Sequence, residues 1–178
     1  LNDVLSIKKE KRKVIYNSIE VKRFNKYLEQ NRKLSSNNEK LIFTNIGLLE
    51  KRKGQIILLH AIQYLLSYRP EIRDEIHFNI EGVGSEKQTL IDYITANNLG
   101  DVVTLLGSTK NIGEVYSACD VFVLPSISNE DLPNVISEAM MFSKPIIASE
   151  MAGVPHQVED NRNGYLVKPG CKIELAKA

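Results

Sequence analysis

Cysteine is scarce in this sequence: Cys119 and Cys171 are the only two, 52 residues apart. That number and spacing exclude a disulfide framework and a CxxC metal site, and make a reducing, cytoplasmic location the default. Histidine is nearly as sparse. His60, His77 and His156 are scattered along the chain, so no metal cluster is expected, and each reads as an ordinary polar side chain. No apolar run approaches the roughly 20 residues that span a bilayer. Residues 1–13 lack the charged, apolar and small-residue succession of a signal peptide, so neither export nor membrane spanning is expected. There is no GxxxxGK phosphate loop, and Gly82-Val83-Gly84 is followed by Lys87 where the dinucleotide fingerprint needs a third glycine. An ordinary NAD domain and a P-loop nucleotidase are both disfavoured. Glycine and proline are missing from the first 46 residues: all 10 glycines and all 6 prolines lie beyond them.

What is present describes a soluble globular domain. Of the 178 residues, 43% are hydrophobic, 7% aromatic and 25% charged. A chain of this length buries roughly 70% of its unfolded surface and needs no covalent staples. The net charge of +1 hides an asymmetry: residues 1–40 carry 11 Lys and Arg against 5 Asp and Glu, while residues 41–178 carry 12 against 17. Residues 1–40 therefore read as a separate basic connector with a first strand at Val14-Ile15-Tyr16-Asn17, one short helix and a Ser/Asn-rich link. Clustered cations in residues 8–13 suit an anionic membrane surface. Interspersed acids and the lack of an aromatic platform favour a solvated connector and speak against nucleic acid.

From Leu41 onward, short β-branched runs alternate with helical periodicity, the pattern of βαβ units. Strands are expected at 41–47, 77–82, 102–107, 121–126, 145–149 and 164–167. Helices are expected at 54–68, 85–98, 111–118 and 133–142, and a further one begins at IELAKA, as though the chain were cut there. The fold class is α/β, a Rossmann-like doubly wound parallel sheet of about six strands across residues 41–178.

In such a sheet, ligands bind beyond the carboxyl ends of the strands. The loop after 41–47 brings Lys51, Arg52 and Lys53 to a helix start at Gly54, where cations and free backbone N–H groups suit a phosphate. A solvated charged loop has the same composition. Gly82-Val83-Gly84 fits either a close backbone approach to a ligand or a tight turn. Strand 121–126 leads through Asn129, Glu130 and Asp131 to a helix beginning near Pro133. Glu138 lies eight residues beyond Glu130, with the amides of Asn134 and Val135 between them. Such a site can hold a diphosphate on amides while carboxylates accept hydrogen bonds from sugar hydroxyls. Helix capping would account for Glu130 alone but not for Glu138 in an otherwise apolar helix. Ala152-Gly153-Val154-Pro155 and Asn163-Gly164 read as structural turns, with His156 beside the cleft.

The ordered segments VIYNSIEVKRF, GLLEKRKGQIILLHAI, IEGVGSEKQTLI, VVTLLG, VYSACDVFVLPSISNEDLPNVISEAMMFSKPIIAS, AGVPHQV and NGYLVKPG resemble the C-terminal, donor-binding half of retaining glycosyltransferases of group 1 (family 4), with the GT-B fold. The resemblance covers about residues 14–170. Its most specific part is Glu130-x7-Glu138, followed by Ala139-Met140 and Lys144-Pro145. It implies a cytoplasmic hexosyltransferase, compatible with a peripheral place on the inner membrane face, that moves a sugar from a nucleotide diphosphate to a glycan or lipid-linked acceptor in cell-surface polysaccharide synthesis. UDP-sugar is the preferred donor, with no cofactor and no metal. By position, Glu138 binds ribose, Glu130 faces the transferred sugar, and the loop of Leu132, Pro133, Asn134 and Val135 holds sugar and phosphate through its amides. Lys53 neutralises the leaving diphosphate, with Glu130 and Lys53 as catalytic residues and Gly47 and Gly82 lining the donor site. Leu48 stands where the family carries arginine, with Arg52 or Lys51 as substitutes, and Asp131-Leu132-Pro133 replaces a glycine-rich loop in which Pro133 donates no hydrogen bond. The partner implied is an N-terminal acceptor-binding domain, without which this chain is expected to bind donor but to transfer little. Two other readings are a nucleotide-sugar epimerase of the same architecture and a non-catalytic nucleotide-binding module.

Overall fold

The computed structural model describes residue 13, residues 17–31 and residues 40–178. Of the strand expected at Val14-Ile15-Tyr16-Asn17 only Asn17 is described, and it belongs to no strand; the Ser/Asn-rich link and nearly all of the basic run at 8–13 lie outside the described residues. Among those described, six strands form one parallel sheet: β1 (Leu41–Ile46), β2 (Ile76–Glu81), β3 (Val103–Gly107), β4 (Val121–Leu124), β5 (Ile146–Ser149) and β6 (Gly164–Val167). Their order is β3-β2-β1-β4-β5-β6, the doubly wound arrangement, and all pairs are parallel. The order reverses between β1 and β4. Strands buried on both faces read as unbroken apolar runs, as at Ile146–Ser149, where every residue is buried.

The helices are α1 (Asn25–Asn31), α2 (Gln55–Tyr68), α3 (Lys87–Ala96), α4 (Ile112–Ala118), α5 (Asn134–Met141) and α6 (Lys172–Lys177). One face of the sheet is covered through Leu58, Leu59 and Ile62 of α2, Leu90 of α3 and Leu175 of α6. The other is covered through Tyr116 of α4 and Ile136 and Ala139 of α5. Cys119 and Cys171 are both free, and burial pushes the Cys119 thiol up to about 11.

Several element ends differ from expectation for local reasons. β4 stops at Leu124 rather than at 126, because Pro125 has no N–H to continue the ladder. The helix expected at 85–98 is confined to 87–96; it ends at the turn of Asn97 and Asn98, the latter left-handed at φ 52°. Pro133 is the residue before α5 rather than its first member, extended at φ −66° and ψ 119°. Helix α2 starts after Gly54, which is left-handed at φ 69°.

The expectation of a solvated connector fails at Phe24. This residue is 1% exposed, and its ring meets Tyr116 and Phe142 edge-on at centroid distances of 6.2 and 5.7 Å. The 3-10 turn Val21–Phe24 and α1 therefore pack onto the domain rather than beside it. Periodicity could not reveal this, because one buried aromatic among charged residues makes no stripe. Replacing Phe24 with Ala should destabilise the domain by about 3–5 kcal/mol. Urea unfolding checks this against Tyr68→Ala, which is 75% exposed and should stay within about 0.5 kcal/mol of wild type.

Candidate donor site

Where the strand order reverses, the loops after β1 and β4 face each other across a crevice. They are stitched together by backbone: Ile127 N donates to Arg52 O at 2.8 Å. Gly54 makes that approach possible. A Cβ there would lie 2.0 Å from the carbonyl oxygen of Pro125, and the φ of 69° is one that glycine adopts freely. The turn Lys51–Lys53 just ahead of Gly54 therefore hangs over the end of β4.

The result is a direct contact between Lys53 and Glu130. The Lys53 ammonium donates to Glu130 Oε1, which also accepts from Ser126 Oγ at 2.8 Å. The two side chains are 15% and 6% exposed, so this pair is mostly withdrawn from water. Asn129, left-handed at φ 55°, turns the chain so that Glu130 points inward, and asparagine tolerates that conformation best among non-glycine residues. Arg52, a proposed substitute for the arginine absent at Leu48, pairs with Glu50 at 2.8 Å and reaches the Asn129 carbonyl at 3.4 Å. Lys51 is exposed.

Glu138 lies partly exposed on α5, and its Oε2 accepts from the hydroxyl of Tyr116 at 2.7 Å. That hydroxyl is also 3.4 Å from Val135 O. Tyr116 is fully buried; burial first, then the neighbouring Glu138 charge, raises its pKa far above the ordinary 10.0. It therefore stays a donor and holds the carboxylate in one orientation. Asn134 and Val135 open α5 without a side-chain cap, leaving first-turn N–H groups for another acceptor. Leu132 is half-buried and Pro133 buried in the loop ahead of them.

Gly47 directly follows β1, and its N–H donates to Glu81 O at 3.0 Å. Gly82 sits against it: a Cβ at Gly82, whose φ is 145°, would lie 1.9 Å from the Gly47 carbonyl oxygen. Close approach of backbone to backbone is thus enough to require glycine at position 82. Sequence reasoning missed Tyr116 and Asn17, which reach the site from other parts of the fold with no local spacing to mark them, and Ser126, a neighbour of Glu130 in the loop after β4. It also missed Glu81, an 8% exposed carboxylate at the end of β2 whose Oε1 accepts from Thr109 N at 3.1 Å.

The histidines fit their ordinary reading where partners are seen. His77 Nε2 lies 2.9 Å from Thr104 Oγ1, and His60 packs on the Tyr93 ring at 4.8 Å. A cavity of about 780 Å³ opens at the amino ends of β1, β4 and β5, lined in part by Leu41, Val121, Lys144 and Ile146. It contains none of the predicted site residues and lies at the end of the sheet opposite to where such folds bind ligands. Among the described residues no group of three or more His, Cys, Asp or Glu is arranged to hold a metal, and no helix is long and apolar enough to cross a membrane.

Tyr116 makes a pH-dependent prediction. The folded state keeps its proton while the unfolded state releases it near pH 10, so stability is intact below that pH and falls above it. Wild type should lose about 1.4 kcal/mol more per pH unit above about pH 10 than Tyr116→Phe does, read by urea unfolding between pH 8 and 11.5. Parallel profiles would mean that the Tyr116 hydroxyl is not withdrawn from solvent.

The family described as "Glycosyl transferases group 1" matches residues 26–178. An uncharacterized glycosyltransferase of Haemophilus influenzae is 30% identical over 162 residues, covering 90% of this chain and 44% of that protein. Spore coat protein SA of Bacillus subtilis is 29% identical over 174 residues, covering 89% and 45%. Crystal structures of Anabaena HepE, solved with UDP, with UDP and glucose and with UDP-glucose, superpose with a TM-score of 0.76 at 27–28% identity over 93% of this chain and 45–46% of theirs. The chain spans less than half the length of these relatives. With the match running from α1 to the end of α6 and taking in every element around the crevice, this chain belongs to the group 1 glycosyltransferases.

Proposed function

We propose that this chain is the UDP-sugar-binding half of a retaining glycosyltransferase that transfers to a glycan or lipid-linked acceptor. The observation that carries the reading is the Lys53–Glu130 pair at the strand-order reversal, next to the uncapped first turn of α5. Lys53 supplies a cation where the leaving diphosphate gathers charge, and the amides of Asn134 and Val135 add oriented dipoles. Glu130, held by Ser126, keeps the ammonium in place and presents a carboxylate to the transferred sugar. Glu138, oriented by Tyr116, accepts hydrogen bonds from ribose hydroxyls. In this reading the ammonium and the backbone amides stabilise the charge gathering on the diphosphate, and no divalent cation is invoked. UDP as the carrier is supported by the uridine nucleotides bound in the HepE structures.

Around the crevice, Leu48, Val83 and Ile127 expose 49%, 48% and 38% of their surface at the carboxyl ends of three strands. This apolar rim suits a second domain closing over the nucleotide, and supports acceptor binding elsewhere in the longer protein. Synthesis of a cell-surface polysaccharide on the cytoplasmic side is the setting that fits this chemistry.

Calorimetric titration with UDP, GDP, dTDP and UDP-sugars, with and without chelator, tests the reading. UDP should bind selectively and independently of chelator, and Glu138→Ala should weaken it by roughly 10- to 100-fold, because a hydrogen bond to a charged group is worth about 1.5–3 kcal/mol. Preference for another nucleotide would remove UDP as carrier, a strict need for magnesium or manganese would remove the role given to Lys53, and epimerised donor without acceptor would redefine the activity.

A further inference from the structure

Asn17 is separated from the site by 115 residues of sequence, yet its side-chain amide donates to the Leu132 carbonyl at 2.9 Å. That carbonyl belongs to the peptide bond entering Pro133, immediately ahead of α5. The bond carries no N–H, so its carbonyl is the one polar group by which its plane can be held. The next carbonyl, that of Pro133, accepts from Ile136 N at 3.1 Å and from Gln157 Nε2 at 3.3 Å. Both peptide units ahead of the Asn134 and Val135 amides are thus gripped from distant parts of the chain. Since α5 has no side-chain cap, these grips set the direction in which its first turn emerges.

Asn17 is followed closely by an anchored segment. Seven residues on, Phe24 is buried against Tyr116, the residue whose hydroxyl orients Glu138. One short stretch of chain therefore meets the crevice twice, at the loop before α5 through Asn17 and behind Glu138 through Phe24.

We propose that Asn17 is a positioning residue of the donor site: its amide holds the Leu132–Pro133 peptide so that the first amides of α5 face the diphosphate. This rests on the reading of the crevice as a nucleotide-sugar site. It makes the segment ahead of α1, outside the sheet, a determinant of phosphate affinity. Base and ribose recognition, carried by other groups, is left untouched.

The test uses the full 178-residue chain with Asn17→Ala, Asn17→Asp and Asn17→Gln. The aspartate keeps the shape but sets an oxygen against the Leu132 carbonyl, whereas the glutamine keeps the donor. Two measurements are made: hydrogen exchange at the Ile136 amide in the ligand-free protein, and affinity for UDP against uridine. Alanine and aspartate should speed Ile136 exchange by about 3- to 10-fold with β1 and β4 unchanged, and weaken UDP by about 3- to 10-fold with uridine changed less than about twofold. Glutamine should recover part of both effects. Unchanged Ile136 exchange, or equal weakening of UDP and uridine, overturns the role of Asn17 while leaving the nucleotide reading intact. Failure of wild type to bind UDP overturns the nucleotide reading, and the role with it.

Discussion

At the reversal between β1 and β4, the start of α2 presses so closely on the end of β4 that Gly54 has no room for a side chain beside the Pro125 carbonyl. Much of the site depends on that approach. It sets the Lys51–Lys53 turn above the loop after β4, allows the backbone bond from Ile127 to Arg52, and brings the Lys53 ammonium to Glu130. Parallel strands cannot be joined by tight hairpins, so their connections run over the faces of the sheet and leave the carboxyl ends open. Only where the winding changes direction do two neighbouring loops diverge enough to leave a crevice, and only there can charges from distant parts of the chain meet.

The Lys53–Glu130 pair is a poor explanation for stability. Removing both groups from water is costly, and an apolar pair of similar volume would often serve the fold as well. Under the proposed function, a desolvated pair beside the strand-order reversal is a prepared electrostatic environment with its ammonium already immobilised. Ser126 and Tyr116 extend the same logic, each donating to one of the two carboxylates and so limiting how they can turn. The loop between these carboxylates is braced from outside by Asn17 and Gln157, neither of which belongs to α5 or β4.

Much of this was legible in the sequence. The six strands were readable because two-sided burial writes continuous apolar runs, and the eight-residue spacing from Glu130 to Glu138 marked a carboxylate that capping could not explain. Boundaries shifted by one or two residues where a proline or a left-handed residue intervened, as at Pro125 and Asn98. The failures share one cause. Phe24 read as part of a polar connector because its burial comes from Tyr116 and Phe142, more than ninety residues away, and no local period records such contacts. At Gly82 the sequence left a close approach to a ligand and a tight turn both open, and the fold shows that the atom nearest its missing side chain is the Gly47 carbonyl oxygen.

The sequence by itself determined the alternation of strands and helices, the absence of familiar phosphate-loop and dinucleotide patterns, a cluster of cations beyond one strand and two glutamates eight residues apart beyond another. These are local properties: periodicity, residue type and short spacing. The tertiary structure alone decided that Lys53 and Glu130 touch, that Tyr116 holds Glu138, and that Asn17 reaches the loop ahead of α5. The first and last of those contacts join residues 77 and 115 apart, and Tyr116 and Glu138 sit on different helices across a connecting strand. Their geometry is set by strand order and by how closely two backbones can approach, quantities that no single segment of the chain encodes.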